Sequence, residues 1–351
     1  EVIYQGTVTN FKQVHGWDNR RNSNSYKAGI DYFINSRHTV GFLVNGYANT
    51  NDQLSNSSTL RNNNLNESES IRVLGRNNES YSNMAYNLNY KGVFDSAGKE
   101  LTVDLDYSDY HGKMDELRDN FYTVSGGAPK NPLFIKNYAP SDIAVKSMKM
   151  DYTNPLGKTA KFETGVKFSR VETDNDLLLA RLEGSAWIPD AEYTNHFVYT
   201  ESINAGYLNF SKEFKKYGIQ LGLRAEQTVS EGNSVTRNEV VKRDYLEFFP
   251  SVSLSHTINK NNQLGLSYSR RIDRPGYDDL NPFMNFLDEY TFQRGNPYLN
   301  PQFTNSFDLS HTFRGSFTTS LSYSHTSDVM TTVTEQDDAT MKTYAIQRNL
   351  D

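Results

Sequence analysis

The densest chemistry in this sequence lies between residues 270 and 294. Arg270, Arg271, Asp273, Arg274, Asp278, Asp279, Asp288, Glu289 and Arg294 set opposite charges close together on a path punctuated by Pro275, Pro282, Pro297 and Pro301, four of the chain's 10 prolines. Each proline fixes its own φ and restrains the residue before it, so the path is defined rather than floppy. Two roles fit such a segment. Asp278, Asp279 and Asp288 can pair with Arg271, Arg274 and Arg294, locking it into one shape while Phe283, Phe286, Leu287, Tyr290 and Phe292 pack inward. Alternatively the same charges, Asp273 included, contact a substrate directly. The sequence favours the structural role.

Elsewhere the chemistry thins out. Asp104 and Asp106 share one face of a strand, about 7 Å apart. No histidine or third acid follows at ligand spacing, so they read as hydrated wall residues rather than a catalytic or metal-binding pair. The seven histidines form no HxH or HxxxH pair, and without cysteine there is neither a thiolate metal site nor a disulfide. Serine is too common for its nearness to histidine to mark a triad, and no nucleophile motif is present. The expectation is a non-enzyme with no cofactor and no metal. A net charge of −6 without a basic cluster argues against nucleic acid. The asparagine-rich residues 49–83 read as a hydrated surface loop, with glycan or ligand contact as the alternative. Phe121, Tyr122, Phe134 and Tyr138 suit gripping a ligand and packing loops together equally well.

These residues need elements to hold them. Leu264, Leu266 and Tyr268 alternate with Gly265, Ser267 and Ser269, and Phe307, Leu309, His311 and Phe313 alternate with Ser306, Asp308, Ser310 and Thr312. Past Gly315, Phe317, Leu321 and Tyr323 again oppose serines. The same pattern predicts about 14 strands over the chain, with 2–12 first and 316–334 and 340–350 last. Connections near 35–37, 95–99, 154–158, 215–216, 259–261 and 315 are tight. Those over 13–24, 50–79, 112–141, 174–196, 230–243 and 274–301 are long. Outer-membrane barrels alternate short and long connections in this way, and sandwiches have no reason to.

With tight turns on the periplasmic side, the first strand runs outward and both chain ends are periplasmic. Leu101, Val103, Leu105 and Tyr107 then face lipid, as do Phe162, Thr164, Val166 and Phe168, and Ile219, Leu221, Leu223 and Ala225. Asp104, Asp106, Arg224 and Glu226 point into the lumen. A hydrophobic content of 36% beside 23 Tyr and 20 Phe, with a mean hydropathy of −0.70, suits a wall one residue thick. No apolar run is long enough for a transmembrane helix. The expected fold class is all-β: an antiparallel up-and-down transmembrane β-barrel with short periplasmic turns and long extracellular loops.

The runs SRRIDRPGYDDLNPF (269–283) and LDEYTFQRGNPYLNP (287–301), followed by a new strand, resemble a block in the barrels of TonB-dependent outer-membrane receptors. They are most similar to the outer-membrane β-barrel family abundant in Bacteroidetes. Gly222-Leu223-Arg224-Ala225-Glu226 and Glu163-Thr164-Gly165-Val166-Lys167 resemble other strands of that family. The resemblance implies that residues 1–351 are barrel, in the outer membrane of a Gram-negative bacterium, in contact with outer-membrane lipid and lipopolysaccharide. It implies an energised importer whose barrel surrounds a plug and whose loops capture a scarce solute. Its partners would be a TonB-type energy-coupling protein and a surface lipoprotein or other outer-membrane subunits. The plug and the motor-binding segment are not among these residues, and the closing YAIQRNLD lacks a terminal aromatic. A larger barrel of about 22 strands is therefore the first expectation and a closed barrel of about 14 the second. The alternative function is a structural or scaffolding barrel subunit without import. Siderophore, oligosaccharide and peptide all fit as solute.

Overall fold

The computed structural model describes residues 2–4, 7–65, 67–125, 130–286, 291–337 and 340–350, and these are almost wholly strand. In chain order they form β1 (Val2–Tyr4), β2 (Thr7–Asn35), β3 (His38–Asn63), β4 (Ser68–Val93), β5 (Glu100–Ser125), β6 (Leu133–Pro155), β7 (Ala160–Glu183), β8 (Ala186–Pro189) and β9 (Asn195–Glu213). Then come β10 (Tyr217–Ser234), β11 (Glu239–Asn259), β12 (Asn262–Asp273), the single-turn helix α1 (Tyr277–Leu280), β13 (Met284–Phe286), β14 (Thr291–Arg294), β15 (Gln302–Phe313), β16 (Phe317–Ser327), β17 (Val329–Asp337) and β18 (Lys342–Leu350). One sheet takes β1 to β7, β9 to β12, β15 and β16 in sequence order, with β8 a short flap on β7. Its neighbours pair antiparallel throughout, the up-and-down wall of an outer-membrane barrel. Among the described residues its two terminal strands, β1 and β16, do not pair with each other.

The short turns fall where the sequence places them. In the last of these, Arg314 (φ 51°) and Gly315 (φ 66°) are both left-handed, and Ser316 N–H donates to the Phe313 carbonyl at 3.2 Å. Such a primed turn matches the right-handed twist of the strands it joins.

The long connections differ from expectation. Residues 13–24 are not a loop, because β2 runs unbroken for 29 residues. Residues 7–12 and 25–35, expected in two strands, are therefore one, and residues 2–4 form the separate β1 antiparallel to it. β2 starts at the long-hairpin end, where Val8 N–H meets the Asn64 side chain at 3.1 Å, so residues 7–12 run in the reverse of the direction expected for a strand over 2–12. Residues 50–79 and 112–141 are also mostly paired strand. β3 and β4 hold register from His38↔Gly92 to Asn62↔Ser68, and β5 and β6 from Glu100↔Thr153 to Asn120↔Leu133. Beyond the bilayer both faces meet water, so no apolar alternation betrays a strand. Cross-strand polar pairs such as Gln13 Nε2 to Ser57 Oγ (3.1 Å) replace it. Residues 174–196 shrink to 184–194, which carry the flap β8, and 230–243 to a turn over 235–238, for the same reason; 274–301 remains the longest connection between wall strands.

Side-chain faces follow the two-residue period. Leu105, Tyr107, Phe168, Leu221 and Leu223 are 41–47% exposed on the outer face, where lipid covers them. A charge in such a place costs roughly 2–4 kcal/mol at the bilayer midplane. Register pairs Leu309↔Leu321 and Phe313↔Phe317 continue that surface. On the luminal face Gly165 makes room for Tyr207, whose hydroxyl would lie 2.4 Å from a Cβ there.

The strand expected at 316–334 breaks at Asp328, which is left-handed (φ 54°). The break turns β17 and β18 out of the wall. They join β13 and β14 in a second sheet, ordered β13-β14-β18-β17, in which β14 and β18 run parallel. Residues 340–350 are therefore not a wall strand.

Candidate functional site

The second sheet and α1 pack against the inner face of the wall. Counting in twos from luminal Glu163 up β7 reaches Leu179, and the positions opposite it lead to Ile135 on β6 and to Phe197 and Tyr199 on β9. These upper luminal positions are apolar and buried. Ile135, Leu179 and Tyr193 surround Phe292, which is only 1% exposed. Its ring stacks between Tyr193 (5.9 Å) and Tyr344 (5.5 Å). A second cluster joins Phe197 and Tyr199 to Leu280 and Leu299, with Tyr277 packed against it, 5.8 Å from Phe197. Each large apolar side chain buried in this way contributes roughly 1.5–3 kcal/mol, which holds the connection as a roof over the lumen.

The roof's backbone also needs partners, and its prolines cannot donate. Arg243 Nη2 donates to the carbonyls of Pro297 and, at 2.9 Å, Leu299. Asn296 N–H donates to the Asp279 carbonyl at 2.6 Å. The Asn349 amide both accepts from Asn300 N–H and donates to its carbonyl, each at 2.9 Å. At Gly295 a Cβ would stand 2.0 Å from the Asn281 carbonyl oxygen, so only glycine lets these two backbones meet.

The charges are arranged differently from expectation. Arg274 Nη2 lies 2.6 Å from Glu226 Oε2 and 3.0 Å from Thr228 Oγ1, and Glu226 also accepts from Arg224 Nε. Neither Asp278 nor Asp279 pairs with Arg271, Arg274 or Arg294, which corrects the expected network; Asp288 lies outside the described residues. The physical reason is local. Asp279 caps α1 by accepting from Gly276 N–H at 3.0 Å. Glu226, 8% exposed, is a buried carboxylate whose second oxygen Arg274 satisfies beside the one held by Arg224.

The other candidates separate in space. Asp273 accepts from Gln302 at 3.2 Å, bracing the ends of β12 and β15. The Arg294 guanidinium sits 5.9 Å from the Tyr344 ring centroid. Arg271 lines a lower luminal cavity with Lys161 and Glu163. Asp106 accepts from Asn87 (2.7 Å) and Ser147 (3.0 Å), while Asp104 faces Asn89 and Lys149 across its two neighbours. Phe121 and Phe134 stack edge to face at 6.2 Å, and strand parity puts them on the outer side of their hairpin, away from the lumen. Among the described residues no group of three or more His, Asp or Glu side chains could hold a metal ion.

Under the roof lies a chamber of about 490 Å³ between the luminal faces of β4 to β7 and residues 277–284. Tyr81, Tyr110 and Asn137 line it from the wall, and Tyr277, Asp278 and Asn281 from the roof. Tyr277 Oη accepts from Asn175 Nδ2 and, at 2.9 Å, from Asn281 Nδ2, which leaves its own proton free to donate. Burial pushes this hydroxyl well above its ordinary pKa, so it stays protonated. The sequence singles out Asp278 but passes over Tyr81, Tyr110, Asn137 and Asn175. Strand parity carries the missing signal, since Tyr110 shares the face of Asp104 and Asp106.

Comparison with known proteins gives the family. Residues 92–351 match the outer membrane protein β-barrel family. Among solved structures the chain is similar to the copper transporter OprC, at 13% identity and a TM-score of 0.52, over 95% of this chain and 57% of that one. It is also similar to the ferripyoverdine receptor of the outer membrane of Pseudomonas aeruginosa, at 13% identity and a TM-score of 0.52, over 96% and 52%. At such identity the likeness is one of fold. The chain spans a little over half the length of these solved chains. No curated protein matches its sequence. The chain, which lies in the outer membrane of a Gram-negative bacterium, belongs to the outer membrane protein β-barrel family.

Proposed function

We propose that this chain is the wall and ligand-capturing mouth of a TonB-dependent receptor that binds and imports a scarce solute. The observation that carries the reading is the roof. Residues 277–284 fold inward and cover a cavity that mixes tyrosines and asparagines with Met114, Leu177 and Phe283, a place for a solute and not for a structural partner. That β1 and β16, the terminal strands of the described sheet, do not pair with each other supports a larger barrel of about 22 strands, with a plug and a TonB-type energy-coupling protein completing the importer. The likeness of the wall to a copper transporter and a ferripyoverdine receptor supports the same reading.

Deleting the gene and growing the strain on a panel of scarce nutrients tests it. The deletion strain should lose growth on at least one of them. The full-length protein should restore that growth only while the proton-motive force is intact. Unchanged growth on every nutrient, with the protein recovered in a stoichiometric outer-membrane complex, would replace the importer with a scaffolding barrel.

A further inference from the structure

We infer that the roofed chamber takes a neutral, polyhydroxylated ligand, an oligosaccharide, rather than an anionic metal chelate; the inference rests on the receptor reading above. Three observations carry it. The first is a row of inward-facing tyrosines on adjacent strands, Tyr47, Tyr81 and Tyr110, with centroid spacings of 6.3 and 6.5 Å. Such rings offer flat apolar faces with polar tips, which match the C–H faces and hydroxyls of sugar rings. Gly112 lets the Tyr110 ring lie along the wall, because a Cβ there would come within 2.9 Å of ring atoms.

The second is the set of polar groups opposite. The side-chain amides of Asn137, Asn175 and Asn281 line the chamber. Asn175 and Asn281 each give one amide hydrogen to Tyr277, and Asn281 Oδ1 accepts from Phe283 N–H at 3.2 Å; an amide NH₂ has a second hydrogen, so the set still offers donors to hydroxyl oxygens. The Tyr277 hydroxyl adds a donor, because two amide N–H groups already occupy its oxygen.

The third is charge. The lining holds two carboxylates, Glu79 and Asp278, and no arginine. Its only basic residue, Lys113, sets its ammonium 5.2 Å from the Tyr138 ring centroid. Arginines around the mouth are already engaged: Arg274 by Glu226, Arg181 by Asp190 and Arg243 by backbone carbonyls. An anionic chelate would meet like charge and no bidentate clamp. Hydroxyl groups can donate to those same carboxylates.

The test uses the complete protein in detergent, an array of neutral glycans that includes maltohexaose, cellohexaose and xylohexaose, and ferric citrate as the anionic probe. At least one neutral glycan should bind. Tyr81→Ala with Tyr110→Ala should weaken it at least tenfold, and Tyr277→Phe, which removes only a hydroxyl, should weaken it severalfold. Each variant is first checked for heat-modifiable migration, which reports a folded barrel. Ferric citrate should not compete. Ferric citrate binding that the tyrosine variants abolish, or binding of no glycan alongside an intact nutrient-uptake phenotype, overturns the ligand class and leaves the receptor reading standing. Glycan binding without any uptake phenotype keeps the ligand class and overturns import.

Discussion

The hairpins β3–β4 and β5–β6 and the connection 274–301 all extend past the lipid band, yet they solve the same problem in opposite ways. The hairpins satisfy their backbones with one another, strand against strand, to within a few residues of each tip. Most of their surface meets water, so polar side chains suffice there, and the inner face of β6 near Ile135 packs under the roof. The connection has prolines at four positions and runs a ladder only along the short β13 and β14. It borrows partners from Arg243, Asn349 and the second sheet, and it hides its aromatics against the inner wall. A hairpin beyond the bilayer can therefore tolerate change almost anywhere along its length, whereas the roof depends on a few contacts.

That contrast can be broken in a definite order. The largest effect belongs to Phe292→Ala, which empties the buried slot between Tyr193 and Tyr344 and should cost about 3–5 kcal/mol of roof stability. Limited proteolysis should then cut within 274–301 while the wall keeps its heat-modifiable migration. Gly295→Ala comes next at about 3 kcal/mol, since its Cβ meets backbone that cannot swing aside. Chemical denaturation followed by a fluorophore on the roof should report the loss, and a shift within error would show that the two backbones do not meet. Arg274→Met removes one of the two cations on Glu226. Because Arg224 remains, the cost should be about 2 kcal/mol, below the usual range for breaking a buried pair. A double-mutant cycle with Glu226→Gln should return most of that energy as coupling. The smallest effect is in a hairpin: Asn77→Ala removes a 2.8 Å hydrogen bond to Glu79 and should cost about 1 kcal/mol or less. If it cost as much as Phe292→Ala, the contrast would fail.

Legibility in the sequence followed the solvent. Inside the bilayer the period of two is enforced by lipid, so Leu105, Phe168, Leu221 and Leu309 declare their face, and every short turn between them can be placed. Above the bilayer that selection stops. The polar run 50–79 then looks like a loop although most of it is paired. The prolines of 274–301 marked an ordered segment, and its inward packing follows from having too many aromatics to leave in water. The partner of Arg274 was hidden, because Glu226 lies 48 residues away on a strand whose alternation merely calls for something polar. The chamber was hidden likewise, since its residues come from four strands and a connection and share only their parity.

The central claim is that residues 274–286 and 291–301 form an ordered roof bound to the luminal wall. Hydrogen exchange on the complete protein, resolved by peptide, tests it most directly. The amides of Leu280, Asn281, Asn296 and Leu299, all hydrogen-bonded within the roof, should be protected nearly as long as those of β9 and β10 and far longer than the hairpin tip near residue 65. Exchange of these amides within seconds, at the rate of the tip, would contradict the account.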